Sequence, residues 1–316
     1  MKRLTLLLAA ALMLSACGNK KEKVTVVAEE STKQEIRKAR GFRTDIPLDS
    51  IRLSDPCIMA DKATAMYYMT GTGGRMWKSR DLARWEGPYH IALTDSSSWM
   101  GPRPQIWAAE FHQYNGKYYY FATFTNNAIK IDTVAGNVIP RRASHVLVSD
   151  TPEGPYLPMA DPTYLPDDMP TLDGTFWVDT DGKPYMVYCG EWLQNLNGTM
   201  EKIDGKIVPN RVTDGPWLFR TGTGRLGMIW TSWIYDVYTQ GVAYSTSGTL
   251  DGPWVQEPEP ITPPNFGHGM LFQDLNGQWL MSVHSHRDVG HYVRIPHLFK
   301  VDLSGDKLVV GERYIP

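Results

Sequence analysis

The chain has 316 residues, a hydrophobic share of 42% and a formal net charge of −2. That length accommodates one large domain, and that charge supplies no basic field of the kind that draws nucleic acid. Its three cysteines are too few for a disulfide framework.

In chain order, the first segment is not part of the fold. Met1, Lys2 and Arg3 give a positive start, and Leu4–Leu14 is an apolar run too short to span a bilayer. "LSAC" (Leu14–Cys17) follows and resembles the end of a bacterial lipoprotein signal, in which Cys17 is lipidated and becomes the mature N-terminus. Residues 1–17 are read as this signal. Residues 18–43, rich in charge ("KKEK", "EESTKQEIRKAR"), are read as a linker whose last part suits a short helix. The expected location is the cell envelope, with membrane contact through the lipid alone. Gly18 beside the lipid cysteine points to the outer membrane.

Beyond Arg43, across 44–316, helix signals are scarce. Short β-branched and aromatic runs are punctuated by Gly, Asp, Asn and Pro. Five runs share one grammar, in which a strand, a polar or glycine turn and a second apolar strand follow one another. They are "CIMADKATAMYYMTGT", "EFHQYNGKYYYFATF", "FWVDTDGKPYMVYCG", "WLFRTGTGRLGMIWTSW" and "MLFQDLNGQWLMSVHSH". The "NGK", "DGK" and "NGQ" turns suit hairpins because Asn-Gly and Asp-Gly tolerate positive φ. Three further units, "MWKSRDLARWEGPY", "HVLVSDTPEGPY" and "GVAYSTSGTLDGPW", give an outer strand, a serine, a turn and then an acidic residue, Gly-Pro and an aromatic. A fourth such string, "DGPW" at Asp214–Trp217, leads into an inner strand instead. The pattern predicts an all-β fold, a five-bladed β-propeller, with a β-sandwich as the alternative. Cys57 and Cys189 are read as buried thiols.

Residues just ahead of an inner strand converge on a propeller's axis. The five starts carry Asp55, Trp107 with Glu110, Asp173, Asp214 and His268. Each alone reads as an ordinary turn or packing residue. Together they form a carboxylate-rich cleft in which neighbouring acids perturb one another's pKa. Glycoside hydrolysis needs such a set: one protonated acid for the leaving oxygen and one carboxylate on the other face of the sugar. "GTGG" and "GTGRLG" lack the helix and lysine of a phosphate loop, and the spacing of His284, His286 and His291 is no strong zinc signature.

These residues resemble family 43 glycoside hydrolases, whose five-bladed propellers act on arabinose- and xylose-containing glycans. The resemblance rests on "LSDPCIM" with "YYMTGT", "IWAAEFHQYNGKYYYFAT", "LDGTFWVDTDGKPYMVY", "DGPWLFR" and "GHGMLFQDLNGQWLMSVHSH", roughly Asp55 to His286. It implies an inverting mechanism with Asp55 as base and Asp173 as the residue that tunes the acid's pKa. It implies Asp214 as the acid, where the family usually has Glu, with Glu191 as the alternative. Trp107, Glu110 and His268 become substrate-binding residues. No cofactor is implied for the chemistry, and a structural calcium is implied near His268. The third repeat looks abbreviated after "GEWLQNLNG". The function expected is an exo-acting α-L-arabinofuranosidase. The alternatives are a β-xylosidase on the same frame, a non-catalytic glycan-binding propeller and a protein-binding propeller.

Overall fold

Short antiparallel strands joined by tight turns fill the described parts of the chain, a computed structural model covering residues 36–134, 136–159, 171–180, 182, 184–189, 212–234, 237–286 and 293–316. The first sheet holds β1 (Arg37–Pro47), β2 (Cys57–Asp61), β3 (Met66–Thr70), β4 (Arg75–Ser79) and β5 (Arg84–His90), in the order β1-β5-β4-β3-β2. The second runs in sequence through β6 (Gln105–Tyr114), β7 (Lys117–Val134), β8 (Asn137–Ser149) and β9 (Leu157–Pro158). Next come β10 (Leu172–Val178) and β11 (Pro184–Cys189), which pair only with each other. The last two sheets are β12 (Val212–Arg220), β13 (Leu226–Ile234), β14 (Val237–Ser245) and β15 (Trp254–Gln256), then β16 (Phe266–Gln273), β17 (Trp279–Ser285), β18 (Pro296–Asp302) and β19 (Val309–Tyr314).

The expected five blades are corrected to four. Four sheets have four or five strands, whereas the third repeat contributes a two-stranded hairpin among the described residues. The reason lies in what the third repeat supplies. Its inner strand and return strand are present, and the next described strand, β12, already belongs to the following sheet. The hairpin packs against β12 on one side and against β7 and β8 on the other. A β-sandwich is excluded, because successive sheets follow one another instead of facing as two layers. A second correction concerns the end of the charged linker: Arg37–Pro47 is a strand on the outer edge of the first sheet, not a helix.

Hydrophobic layers lie between neighbouring sheets. Ile58, Tyr67, Met69 and Trp77 of the first sheet pack with Phe272, Leu280 and Leu298 of the last, which closes the ring. Phe219, Ile229 and Val242 likewise meet Leu271, Met281 and Val283. A middle strand therefore has a sheet on each face. That is why β13, "LGMIWTSWI", is buried along almost its whole length and reads as a continuous apolar run. The outermost strand β19, "VVGERY", is mostly exposed and carries charge, as an unpaired edge should.

The turns follow their residues. Asn115 (φ +49°) and Gly116 (φ +75°) both take left-handed conformations between paired Tyr114 and Lys117, the geometry of a two-residue hairpin. In the outer units, a serine hydroxyl accepts the turn's backbone N–H groups, as Ser79 does from Leu82 at 2.9 Å and Ser245 from Gly248 at 3.1 Å. The aromatic ending each unit is an anchor: Tyr89, Tyr156 and Trp254 are all buried. Cys57 is a buried free thiol, as expected. The side chain of Cys189 lies outside the described residues.

Candidate active site

Five inner strands approach the axis: β2, β6, β10, β12 and β16. At the start of each, one residue lies in the left-handed region: Asp55 (φ +58°), Ala108 (+42°), Asp173 (+51°), Gly215 (+46°) and His268 (+50°). In four of these strands the ladder slips a step there, between Trp107 and Glu110, Leu172 and Thr175, Asp214 and Trp217, and Gly267 and Met270. Such a bulge re-aims side chains towards the axis. A left-handed conformation costs a residue with a side chain about 1–2 kcal/mol, so it persists only where the surroundings fix it.

A ring of hydrogen bonds between neighbouring sheets fixes it. Each left-handed residue donates its backbone N–H to a side chain of the preceding sheet. Ala108 donates to the Thr72 hydroxyl at 2.9 Å, Asp173 to Thr123 at 2.8 Å and His268 to Thr231 at 2.5 Å. Gly215 donates to Oδ2 of Asp173 at 3.0 Å. Asp55 donates to Nδ1 of His284 at 3.0 Å, which closes the circle from last sheet to first. Only glycine fits at position 215, since a Cβ there would lie 2.5 Å from Nε2 of His268.

This frame opens on a cavity of ≈ 590 Å³ whose walls include Asp55, Asp173, Asp214, His268, Trp107 and Tyr238. Asp55 is buried. Its Oδ1 lies 3.2 Å from Nδ1 of His268 and 3.8 Å from Arg294, and the Thr72 hydroxyl donates to its Oδ2. Burial alone would raise its pKa, but these positive and hydrogen-bonding neighbours lower it below the ordinary value. His284 adds no charge at neutral pH, because burial pushes its own pKa down to about 3 and its Nδ1 already accepts a backbone N–H.

The other two aspartates are driven the opposite way. Burial, offset in part by His268 and then reinforced by Asp214 and Asp55, raises Asp173 to about 7. Burial and the charge of Asp55 also raise Asp214, against the pull of His268 and of the Tyr238 hydroxyl, which donates to Oδ2 of Asp214 at 3.0 Å. One cavity thus holds one aspartate pushed towards its ionised form and two pushed towards their protonated form, the division that acid–base hydrolysis needs. Trp107 offers an apolar wall, with the Arg142 guanidinium 4.1 Å from its ring centre.

The structure brings together Asp55, Trp107, Asp173, Asp214 and His268. Two expectations change. Glu110 does not line the cavity. It is fully buried behind it, 2.7 Å from Nε2 of His112, and burial raises its pKa to about 8. Asp214 is not the residue equivalent to the other starts, because Gly215 holds the left-handed position and Asp214 precedes it. Glu191, His291 and Cys17 lie outside the described residues. Among the described residues, no three His, Cys, Asp or Glu side chains are placed to hold a metal. Two buried polar atoms that feel each other's field, Oε1 of Glu110 and Nε2 of His268, have no hydrogen-bond partner among the described residues.

Sequence reasoning missed Thr72, Arg142, Tyr238 and Arg294. Thr72 ends the "TGT" of the first run and was legible as an inner-hairpin residue. The other three reach the cavity from middle strands or loops with no local signal. In the sequence His284 carries no signal beyond a weak zinc-ligand spacing.

Comparison with known proteins follows the same lines. The profile described as "Glycosyl hydrolases family 43" matches residues 44–306. A solved endo-arabinase from Bacteroides thetaiotaomicron superposes with a TM-score of 0.66 at 30% identity, covering 82% of this chain and 97% of that one. An endo-1,4-beta-xylanase structure from the same organism superposes at 0.62 with 20% identity, covering 87% of this chain and 99% of that one, a likeness of fold. An extracellular endo-alpha-(1->5)-L-arabinanase of Thermotoga petrophila is 28% identical over 213 residues, 63% of this chain but only 37% of that protein.

Proposed function

We propose, from the premise that the chain belongs to glycosyl hydrolase family 43, that it hydrolyses α-L-arabinofuranosyl linkages in arabinan-type glycans with inversion. The observation that carries this reading is the gathering of Asp55, Asp173 and Asp214 in one cavity, where their surroundings shift Asp55 and Asp214 in opposite directions. Asp55 takes the proton of a water molecule as that water attacks the anomeric carbon. Asp214 gives its proton to the departing glycosidic oxygen. Asp173 accepts the Gly215 N–H and so fixes the segment that carries Asp214. Trp107 supplies a flat apolar face for a sugar ring. The names of the two relatives near 30% identity support arabinan over xylan.

Calcium takes oxygen ligands, so Oε1 of Glu110 and water would hold such an ion, and Nε2 of His268 would face it only with the ring neutral. It would supply structural charge on the axis and takes no part in the steps above. The lipid anchor on Cys17 belongs to the same proposal and would tether the enzyme to the envelope. It predicts that Cys17→Ala moves the protein from the membrane fraction to the soluble one.

The deciding experiment incubates the protein with linear α-1,5-arabinan and, separately, with xylo-oligosaccharides. Arabinose as the only early product means cleavage from chain ends. A ladder of oligosaccharides means internal cleavage. Release from the xylo-oligosaccharides alone overturns the arabinan reading in favour of a xylosidase.

A further inference from the structure

Four of the five links in the axial ring use an oxygen acceptor: three threonine hydroxyls and one carboxylate. The fifth, which holds Asp55, uses an imidazole nitrogen. The difference has a chemical consequence. A hydroxyl beside a carboxylate rotates to donate to it, as Thr72 does to Asp55. A neutral imidazole whose Nδ1 accepts a proton must carry its own proton on Nε2, on the far side of the ring. His284 Nδ1 lies 3.4 Å from Oδ1 of Asp55, yet its lone pair is committed to the Asp55 backbone N–H. It fixes the backbone of Asp55 without drawing on the carboxylate.

The same ring reaches the second carboxylate. His284 is fully buried and stacks on Tyr238, with centroids 5.8 Å apart and planes 28° apart. The Tyr238 hydroxyl is the donor to Asp214. One imidazole therefore lies directly under the backbone of Asp55 and beside the phenol that orients Asp214, while the close stacking partner of that phenol is His286, with centroids 4.1 Å apart.

We propose that His284 is a positioning residue for the hydrolytic reaction, holding Asp55 in its left-handed conformation through a neutral Nδ1 acceptor. The proposal rests on the roles given above to Asp55 and Asp214.

Two substitutions separate the acceptor from the ring. His284→Asn keeps an oxygen near the place of Nδ1 and loses the ring. His284→Phe keeps a stacking ring and loses the acceptor. Measured on the arabinan substrate, kcat falls by about a hundredfold in H284F with KM little changed, the scale expected of a misplaced reacting group. H284N stays close to the unmodified protein, although its melting temperature falls further for want of the ring. A merely structural histidine would give the reverse, with turnover following stability. The proposal is overturned if H284F keeps its kcat, or if H284N falls as far as H284F.

A measurement independent of turnover accompanies these variants. Nitrogen-15 labelling of the histidines reads the tautomer of His284 in the whole protein. A bare Nδ1 with the proton on Nε2 is expected, and a protonated Nδ1 overturns the proposal even if neither variant folds. Asp55→Asn serves as the control on the underlying reading. If that variant still turns over substrate, the assignment of the base fails, while the tautomer still judges the part His284 plays.

Discussion

The string of acidic residue, glycine, proline and aromatic occurs at four places, and the structure gives it two unrelated jobs. At Glu86–Tyr89, Glu153–Tyr156 and Asp251–Trp254 it leaves an outer turn. There the aromatic is the buried end, and the acidic residue sits at the surface. Glu86 and Glu153 share one lysine, Lys78, at 3.2 and 3.1 Å. At Asp214–Trp217 the same string enters an inner strand. Its acid faces the cavity, and its glycine lies under His268. The lesson is that four near-identical strings acquire chemistry or none according to the layer of the sheet they occupy. An acid at the axis is desolvated among other charges, whereas those at the rim keep part of their surface in water.

The largest effects should come from the axial acids. Asp55→Asn removes the base and should lower kcat by about 10²–10⁴-fold. Asp214→Asn should lose a comparable factor, and its loss should be smaller for an aryl glycoside with a good leaving group, which needs little protonation. If Asp214→Asn leaves kcat intact on the natural linkage, the acid lies elsewhere, and Glu191→Gln becomes the test.

The two glycines divide the comparison more finely. Both Gly215 (φ +46°) and Gly252 (φ +70°) are left-handed, and an added Cβ would meet His268 at 2.5 Å in the first and Trp254 at 2.7 Å in the second. Alanine at either should destabilise the protein by about 1–3 kcal/mol, seen as a lower melting temperature. Only Gly215→Ala should also lower kcat, because it displaces the His268 that holds Asp55. Equal loss of turnover from Gly252→Ala would erase the distinction between axis and rim.

Much of this arrangement was legible in the sequence because repetition is legible. Five runs with one grammar placed the inner hairpins, and with them Asp55, Asp173 and His268. Three limits were physical. Blade number depends on outer strands, and the third repeat supplies no outer strand among the described residues, so counting inner hairpins overcounted blades. The bulge at each inner-strand start shifts the facing by one residue. That shift hides Gly215 behind the more suggestive Asp214 and makes Glu110, on the buried side of its bulge, look like a cleft residue. Tyr238, Arg142 and Arg294 arrive from other strands and loops and are joined to the site only by three-dimensional proximity.

The protonation states separate the regions by pH. Asp214 is raised and must be protonated to act, so turnover should decline as pH rises through its folded pKa. Asp55 is lowered, so turnover should hold until pH falls through that lower value. Stability carries a matching term from Asp173. Its folded pKa, about 7, lies above its unfolded value near 3.8, so its contribution is complete below the unfolded value and is lost as pH climbs towards 7. Asp173→Asn should flatten the fall in melting temperature over that window. An unchanged slope would mean that another buried group, of which Glu110 is the first candidate, sets the dependence.

The smallest effect is expected at the rim, and it is the sharpest check on the comparison. Glu153→Gln removes one of the two acids around Lys78, while Glu86 stays 3.2 Å away to hold the lysine. Both acids are 38% exposed, so each pair is screened by water and salt and is worth about 0–1 kcal/mol. With one partner retained, the melting temperature should hardly move, and what shift there is should vanish in high salt. Turnover should not change at all. A fall in kcat in Glu153→Gln would mean that an outer copy of the string reaches the reaction, and that the layer of the sheet does not decide which copy is chemical.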